Sequence, residues 1–399
     1  MAGVDASSFF VIVAFAALAG VAVMALAPRL VLPVVVVELV LGIAIGPQLL
    51  DLAKVDGFTD FFGSLGLGML FFFAGYEIDF ERIRGAPMRL GGFGWALSLV
   101  LAYALAYLLE ATGLVLSFVY TGSALATTAI GTLIPILRDE GELHTGFGTY
   151  LLAAGAAGEF GPILLITLVL SSSHPAAEAL LLIAFVALAV LVAVLTVRTA
   201  WRGWPLLERA IESSSQLAVR LAVVLVFGLV ALASSLGLDL LLGGFAAGVI
   251  TRAALHDREL TVFESKLTAV GYGFLIPFFF ITSGMKFDLD ALVTSPSALL
   301  KLPLLLALFL VVRGAPALLL YRHRLGALDR AALAFYSATE LPIVVAITTI
   351  AVELHKMRTS TSAALVAAAI LSTLIYPLVG RRLRRAALEP AAAPAPATA

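Results

Sequence analysis

The chain has 399 residues, 61% of them hydrophobic and 13% charged, with a formal net charge of −1. Water-soluble chains carry about a quarter of charged residues, so lipid is the expected solvent for most of this one, and no basic excess points to nucleic acid. Cysteine is absent, which excludes disulfides, thiolate metal sites and cysteine nucleophiles.

Apolar runs of roughly 20 residues, enough to cross a bilayer, recur almost from end to end. Backbone groups in lipid must pair within their own segment, so helices are expected; the alternating pattern of an outer-membrane barrel is missing. Polar punctuation gives about thirteen segments. The first is Ser8 to Ala27, with no basic region before it, which reads as a span rather than a cleaved signal peptide. There follow Val31 to Leu49, Asp60 to Tyr76, Ala86 to Leu109, Leu114 to Leu137, Phe147 to Leu170 and Ala176 to Val197. A polar stretch, Arg198 to Gln216, carries Trp201 and Trp204, residues suited to an interface. The remaining segments are Leu217 to Ser235, Leu238 to Ile250, Leu267 to Gly284, Pro296 to Tyr321, Ala327 to Val352 and Thr359 to Val379. After Arg385 the Ala/Pro-rich tail, residues 386–399, is expected to be disordered.

Basic residues sort by side. With the N-terminus outside, inner connections hold arginines such as Arg29, Arg82, Arg84, Arg89, Arg138, Arg252, Arg322, Arg324, Arg330 and Arg381, Arg382, Arg384, Arg385. Outer connections hold only Lys54, Lys286, Lys301, Lys356 and Arg358. This bias favours an odd number of spans with the C-terminus inside.

An internal repeat is visible. Ser64-Leu-Gly-Leu-Gly-Met-Leu-Phe-Phe-Phe-Ala-Gly-Tyr-Glu-Ile-Asp79 resembles the stretch from Ala269 to Asp288; both carry a GxG, an aromatic run, a small residue and an acidic end. Ser123 to Thr128 pairs with Ser337 to Pro342 in the same way. Both pairs lie seven segments apart, and an odd offset means opposite orientation in the membrane, the inverted-repeat plan of secondary transporters.

Those transporters bind at mid-membrane, where helices are interrupted. The fifth segment carries Thr121, Gly122, Ser123, Thr127, Thr128, Gly131, Thr132 and Pro135; the twelfth carries Ser337, Thr339, Glu340 and Pro342. Proline removes a helix hydrogen bond, and two facing breaks would bring partial positive and negative helix ends to one depth. Ionisable groups within spans are costly and mark function by default. Glu159 lies midway along the sixth segment, in Gly155-Ala-Ala-Gly-Glu-Phe-Gly-Pro162, where glycines leave room for an ion. Arg313, deep in the eleventh, cannot lose its charge; it would either pair with Glu159 or cap broken-helix carbonyls. Glu340 would either neutralise helix N-termini or bind a cation. Glu38 reads as a packing or pathway carboxylate, and Glu77, Asp79, Glu81 and Arg82 as a solvated face at a span end. Arg220 snorkels, and the five histidines fall in loops, His144 and His256 on the inner side.

These segments resemble the monovalent cation:proton antiporter-2 family, the Kef-type and related sodium/proton exchangers, from about Pro28 to Arg382. The resemblance is carried by Arg29 to Pro33 with Glu38 to Pro47, by Phe71-Phe-Phe-Ala-Gly-Tyr-Glu-Ile-Asp79, similar to an LFLAGLEID signature, and by Ile276-Pro-Phe-Phe-Phe-Ile-Thr-Ser-Gly-Met285, similar to FxPxFFxxxG. It implies an all-α fold of thirteen helices in two inverted repeats, with the fifth and twelfth unwound and crossing, a dimerisation domain, and an elevator-like movement of the core. The family's ion-binding acid maps onto Glu159, its threonine region onto Thr127 and Thr128, and a basic position onto Arg313. Relatives often have an Asp preceded by Asp, Asn or Gln where this chain has Gly158-Glu159. Kef-type proteins often add a cytosolic nucleotide-binding domain; none is expected after the short tail here.

The expectation is a transporter domain over residues 1–385, with repeat one at about 8–171, a linker helix at about 176–197 and repeat two at about 217–380. It would exchange Na+ or K+ for H+ by alternating access in a bacterial inner membrane, as a homodimer, with no cofactor and no enzymatic chemistry. Glu159 would be the shared proton and cation site, completed by Thr127 and Thr128, with Arg313 and Glu340 as charge partners. The rivals are a sodium-coupled organic anion symporter of similar fold and an uncoupled cation channel.

Overall fold

The computed structural model describes residues 5–26, 33–78, 80–165, 184, 187, 191, 217–235, 240–254 and 257–388. The helices are α1 (Ala6–Leu26), α2 (Val34–Ile45), α3 (Gly57–Tyr76), α4 (Phe80–Ile83), α5 (Ala86–Ala111), α6 (Phe118–Leu125), α7 (Ile130–Asp139), α8 (Gly146–Leu165), α9 (Leu217–Ser235), α10 (Leu240–Ala254), α11 (Asp257–Val270), α12 (Ile276–Met285), α13 (Leu289–Val293), α14 (Pro296–Leu320), α15 (Ala327–Ser337), α16 (Pro342–Glu353) and α17 (Thr359–Leu388). Among the described residues, seven helical stretches are long and apolar enough to cross a membrane, and four shorter apolar helices accompany them. The segment expected at Ala176 to Val197 and the polar stretch after it lie outside the described residues, apart from the isolated positions.

Several boundaries differ from expectation for local reasons. Helix α3 starts three residues before Asp60, because Asp56 accepts from the Thr59 amide (2.8 Å) while Thr59 Oγ1 accepts from the Asp56 amide (2.9 Å), a reciprocal cap that satisfies two orphan donors. The tenth segment lengthens toward its N-terminus as α11, and a π turn at Gly271–Leu275 joins it to α12. Helix α17 runs three residues into the expected tail. Ion pairs from Arg381 and Arg385 to Glu140, and from Arg384 to Glu142 and Asp329, hold its last turns.

The helices form two packed bodies. One, the crossing body, assembles α5 to α8 with α14 to α17; the other, a flanking panel, assembles α1 to α3 with α9 to α12. Within the panel, α3 and the α11–α12 unit pack antiparallel: Gly63 meets Thr282, Gly66 meets Leu275, and Phe73 meets Tyr272. The two repeat copies thus face each other head to tail. A side chain at Gly66 would collide with the Leu275 carbonyl, which is why glycine stands at this position.

The seam between the bodies runs where α7 and α8 meet α3 and α10. There Phe160 of α8 lies against Phe245 of α10, ring centroids 5.0 Å apart and 24° from parallel. A cavity opens toward each face of the bundle beside this seam. One, of about 550 Å³, is lined by Asp60, Thr282, Lys286, Thr348 and Glu353. The other, of about 620 Å³, is lined by Glu77, Arg82, Arg138, His144, Arg252 and Glu264; this is the arginine-rich face.

Candidate functional site

Both expected interruptions are present. Between α6 and α7 the chain leaves the helix over residues 126–129, and between α15 and α16 over residues 338–341. Pro342 begins α16 at a position where its missing N–H costs nothing. The two breaks touch: the Ala129 amide donates to the Thr339 carbonyl at 2.8 Å. The Thr128 amide donates to the Gly158 carbonyl at 3.0 Å, so the residue before Glu159 is tied to the crossing.

Breaking a helix in lipid exposes backbone groups that must be bonded by something else. Here they are. Trp95 Nε1 donates to the Ala126 carbonyl (3.1 Å). Thr128 Oγ1 donates to the Ser337 carbonyl (2.6 Å). The Glu340 amide donates to Ser372 Oγ (3.1 Å), and Thr373 Oγ1 donates to the Glu340 carbonyl (3.0 Å). Ser372 and Thr373, ordinary mid-span hydroxyls in sequence, are thus part of the crossing.

Arg313 takes the second of its two expected roles. It is 4% exposed, and its donors go to Thr128 Oγ1 (2.9 Å), Ser98 Oγ (3.1 Å) and the carbonyls of Ala154 (3.1 Å) and Ser337 (3.4 Å). None of these bonds goes to Glu159. Glu340 is fully buried and accepts from Thr127 Oγ1 at 2.9 Å. The hydroxyls of Thr127 and Thr128 are therefore directed at Glu340 and at the Arg313–Ser337 contact. The glycines of α8 make this approach possible. A Cβ at Gly158 would overlap the Arg313 guanidinium and Thr128 Oγ1, one at Gly155 would strike Ile130, and one at Gly161 would strike the Trp95 ring.

Glu159 lies on the neighbouring edge of α8. The residue is 3% exposed, and its Oε2 has no hydrogen-bond partner. Glu77 lies within electrostatic reach, and so does Tyr272 of the π turn, whose hydroxyl is also buried without a partner. Glu159 thus faces the seam with the panel. Sequence reasoning missed Glu77 and Tyr272: an acid at a span end ordinarily reaches solvent, and a π turn has no sequence signature. Glu38 is buried in α2 with Oε2 unpartnered. Among the described residues no group of three or more His, Asp or Glu is arranged for a multidentate metal site.

An all-helical membrane bundle with two interrupted, crossing helices and buried carboxylates at and beside them has the inverted-repeat build of secondary transporters. The sodium/hydrogen exchanger, transmembrane, family matches residues 11–384, and the chain belongs to that family. It is 27% identical over 384 residues to YjbQ of Bacillus subtilis strain 168, named as a candidate Na+/H+ antiporter, covering 91% of this chain and 61% of that protein. It is 24% identical over 279 residues to the Na+/H+–K+ antiporter GerN of Bacillus cereus, covering 67% of this chain and 68% of that one. With the glutathione-regulated potassium-efflux protein KefC of Klebsiella pneumoniae it shares 28% identity over 296 residues, 72% of this chain and 46% of that protein. The fold matches the sodium proton antiporter MjNhaP1 of Methanocaldococcus jannaschii with a TM-score of 0.63 at 15% identity, covering 94% of this chain and 99% of that one.

Proposed function

We propose that this protein exchanges a monovalent cation, Na+ or K+, for H+ by alternating access, with Glu159 as the shared site. The observation that carries this reading is the state of Glu159: a sequestered carboxylate with an unbonded oxygen, tied through Gly158 to two crossed helix breaks, at a seam with a cavity on either face. A carboxylate so placed needs a proton or a cation to neutralise it. The two compete for the same oxygens, so one leaves as the other enters. The Thr127 and Thr128 hydroxyls are directed at Glu340 and at the Arg313–Ser337 contact, so on this reading they hold the crossing beside Glu159, and would complete the cation's oxygen shell only on a rearrangement of it. The names of GerN and KefC, which mention Na+, K+ or both, support cargo of this class.

The arginine-rich face is the cytoplasmic one on this reading, which places the N-terminus outside and the C-terminus inside a bacterial inner membrane. The crossing body moves against the panel, and the panel forms the contact of a homodimer. The test is cation-dependent proton flux in proteoliposomes, scanned over Na+, K+ and Li+. The parent protein is expected to exchange with a bell-shaped pH response. Glu159→Gln is expected to abolish exchange while the protein still elutes as a folded species; retained pH-coupled flux in that variant refutes the assignment.

A further inference from the structure

We propose that Pro162 is a positioning residue for Glu159, and that the tie it makes possible between α8 and the interrupted helix sets the cation preference of the site. The proposal rests on the reading of Glu159 as the exchanged site. Pro162 is buried inside α8, in the turn that follows Glu159. In an α-helix the carbonyl of residue 158 is bonded by the amide of residue 162. Proline has no amide hydrogen, so the Gly158 carbonyl is left without that donor. The Thr128 amide of the break fills the place, at 3.0 Å. Pro162 thus opens the hydrogen-bond ladder of α8 beside the carboxylate and leaves the freed acceptor to a helix that is itself interrupted.

A second tie closes the same turn from its other end. Trp95 of α5 donates its indole N–H to the Ala126 carbonyl at 3.1 Å, and Ala126 caps the half-helix α6. The Trp95 ring lies so close to Gly161 that a methyl group there would overlap it. Glu159 therefore lies in the chain between Gly158, bonded to the break, and Gly161, pressed on the ring that braces the break. Helix α5 is itself fixed to the crossing. Ser98, one turn after Trp95, accepts from Arg313 at 3.1 Å, and the Tyr103 hydroxyl lies 3.1 Å from Ser123 Oγ of α6.

A proline in a helix interior removes a ladder bond and crowds the preceding turn. Helix stability alone gives no reason for one at this position; a bond between α8 and the break does. A hard cation is chosen by the number, spacing and rigidity of the oxygens around it. Ties on both sides of Glu159 hold its backbone at a constant distance from the break as ions enter and leave. An amide restored at position 162 competes for the Gly158 carbonyl, lets α8 close its own ladder and frees the Glu159 turn to drift from the break.

The experiment measures exchange by the full chain in proteoliposomes against Na+, K+ and Li+ concentration. In Pro162→Ala the half-saturating cation concentration is expected to rise by roughly 5-fold to 10-fold, the effect of weakening one hydrogen bond. The maximal rate is expected to fall by less, the Na+ to K+ preference to change, and the melting temperature to equal or exceed the parent's. Trp95→Phe, which keeps a ring but has no N–H, is expected to move half-saturation and ion preference in the same direction. Pro162→Ala with the parent's half-saturation and ion preference overturns the proposal, whatever its melting temperature. If that variant does not assemble, parent-like values in Trp95→Phe overturn it instead. Exchange that survives Glu159→Gln sinks the underlying reading; exchange lost there, with half-saturation and ion preference unaltered in Pro162→Ala, sinks the positioning role alone.

Discussion

The crossing and the seam are neighbours on α8, yet they treat backbone and side-chain polar groups differently. At the crossing, the carbonyls of Ala126, Ser337, Thr339 and Glu340 each receive a donor, and Arg313 spends its guanidinium on four acceptors. At the seam, Glu159, Glu77 and Tyr272 each keep a buried oxygen without a partner. Buried polar atoms are ordinarily bonded, and each exception asks for an explanation. The contrast teaches that the crossing bonds its broken backbone so that the interrupted helices persist in lipid, while unbonded side-chain oxygens gather at the seam and, within the crossing, at Glu340 Oε1 and Ser337 Oγ.

The largest expected effect separates the two regions by stability. Arg313→Met strips the donors that reach Thr128, Ser98, Ala154 and Ser337, and a hydrogen bond to a charged group contributes about 1.5–3 kcal/mol. Thermal unfolding in detergent is expected to fall sharply. Glu159→Gln, by contrast, removes an unbonded carboxylate and is expected to leave the melting temperature equal or higher while exchange is lost. A Glu159→Gln protein as unstable as Arg313→Met would break the comparison, since the acid would then be a structural member of the scaffold.

A smaller effect sharpens the boundary between the regions. Gly158→Ala forces a methyl group onto the Arg313 guanidinium and Thr128, an overpacking worth about 1–3 kcal/mol. Both melting temperature and transport are expected to drop, because Thr128, one of the displaced groups, holds through its amide the Gly158 carbonyl next to Glu159. A stable, fully active variant would show that the anchor is dispensable.

The smallest effect lies far from both regions and serves as a control. Hydrogen bonds from Ser7 and Ser8 draw the Asp5 carboxyl down to about 2, and the Asp5 amide with Thr59 lowers that of Asp56. A carboxyl depressed in the folded state contributes stability above its unfolded value and loses it as pH falls. The attachment of α1 to the start of α3 is therefore complete above about pH 4 and loosens as pH drops toward 2. Hydrogen exchange at the Ser8 and Thr59 amides is expected to report this, with no change in transport between pH 6 and 8. Loss of protection near neutral pH would show that another group titrates.

Much of the scaffold was legible in the sequence because it is written in residue types that act locally. Pro342 favours the first turn of a helix over its interior, and Thr127-Thr128 opposite Ser337 and Thr339 announced the crossing by matching position in two repeats. Glu159 stood out because glycines surround it. The partners of Arg313 were not legible, since the choice between Glu159 and the crossing is made by which edge of α8 faces α14. Glu77 was misread as solvated for a related reason: whether the end of α3 meets water or a cavity depends on how α7, α10 and α11 close around it. The relation of Tyr272 to the acids depends on a π turn, and a single extra residue in a helical turn leaves no periodic trace.

The aromatic contact beside Glu159 has a mechanical consequence. Phe160 and Phe245 meet nearly flat, one on each body, rather than edge to face. Flat plates can shear past one another at constant gap, whereas an interlocked ring must first be lifted out of its slot. If the crossing body moves against the panel as proposed, the residue next to the carboxylate would form a bearing surface along which the bodies slip without prying open the greasy joint between them.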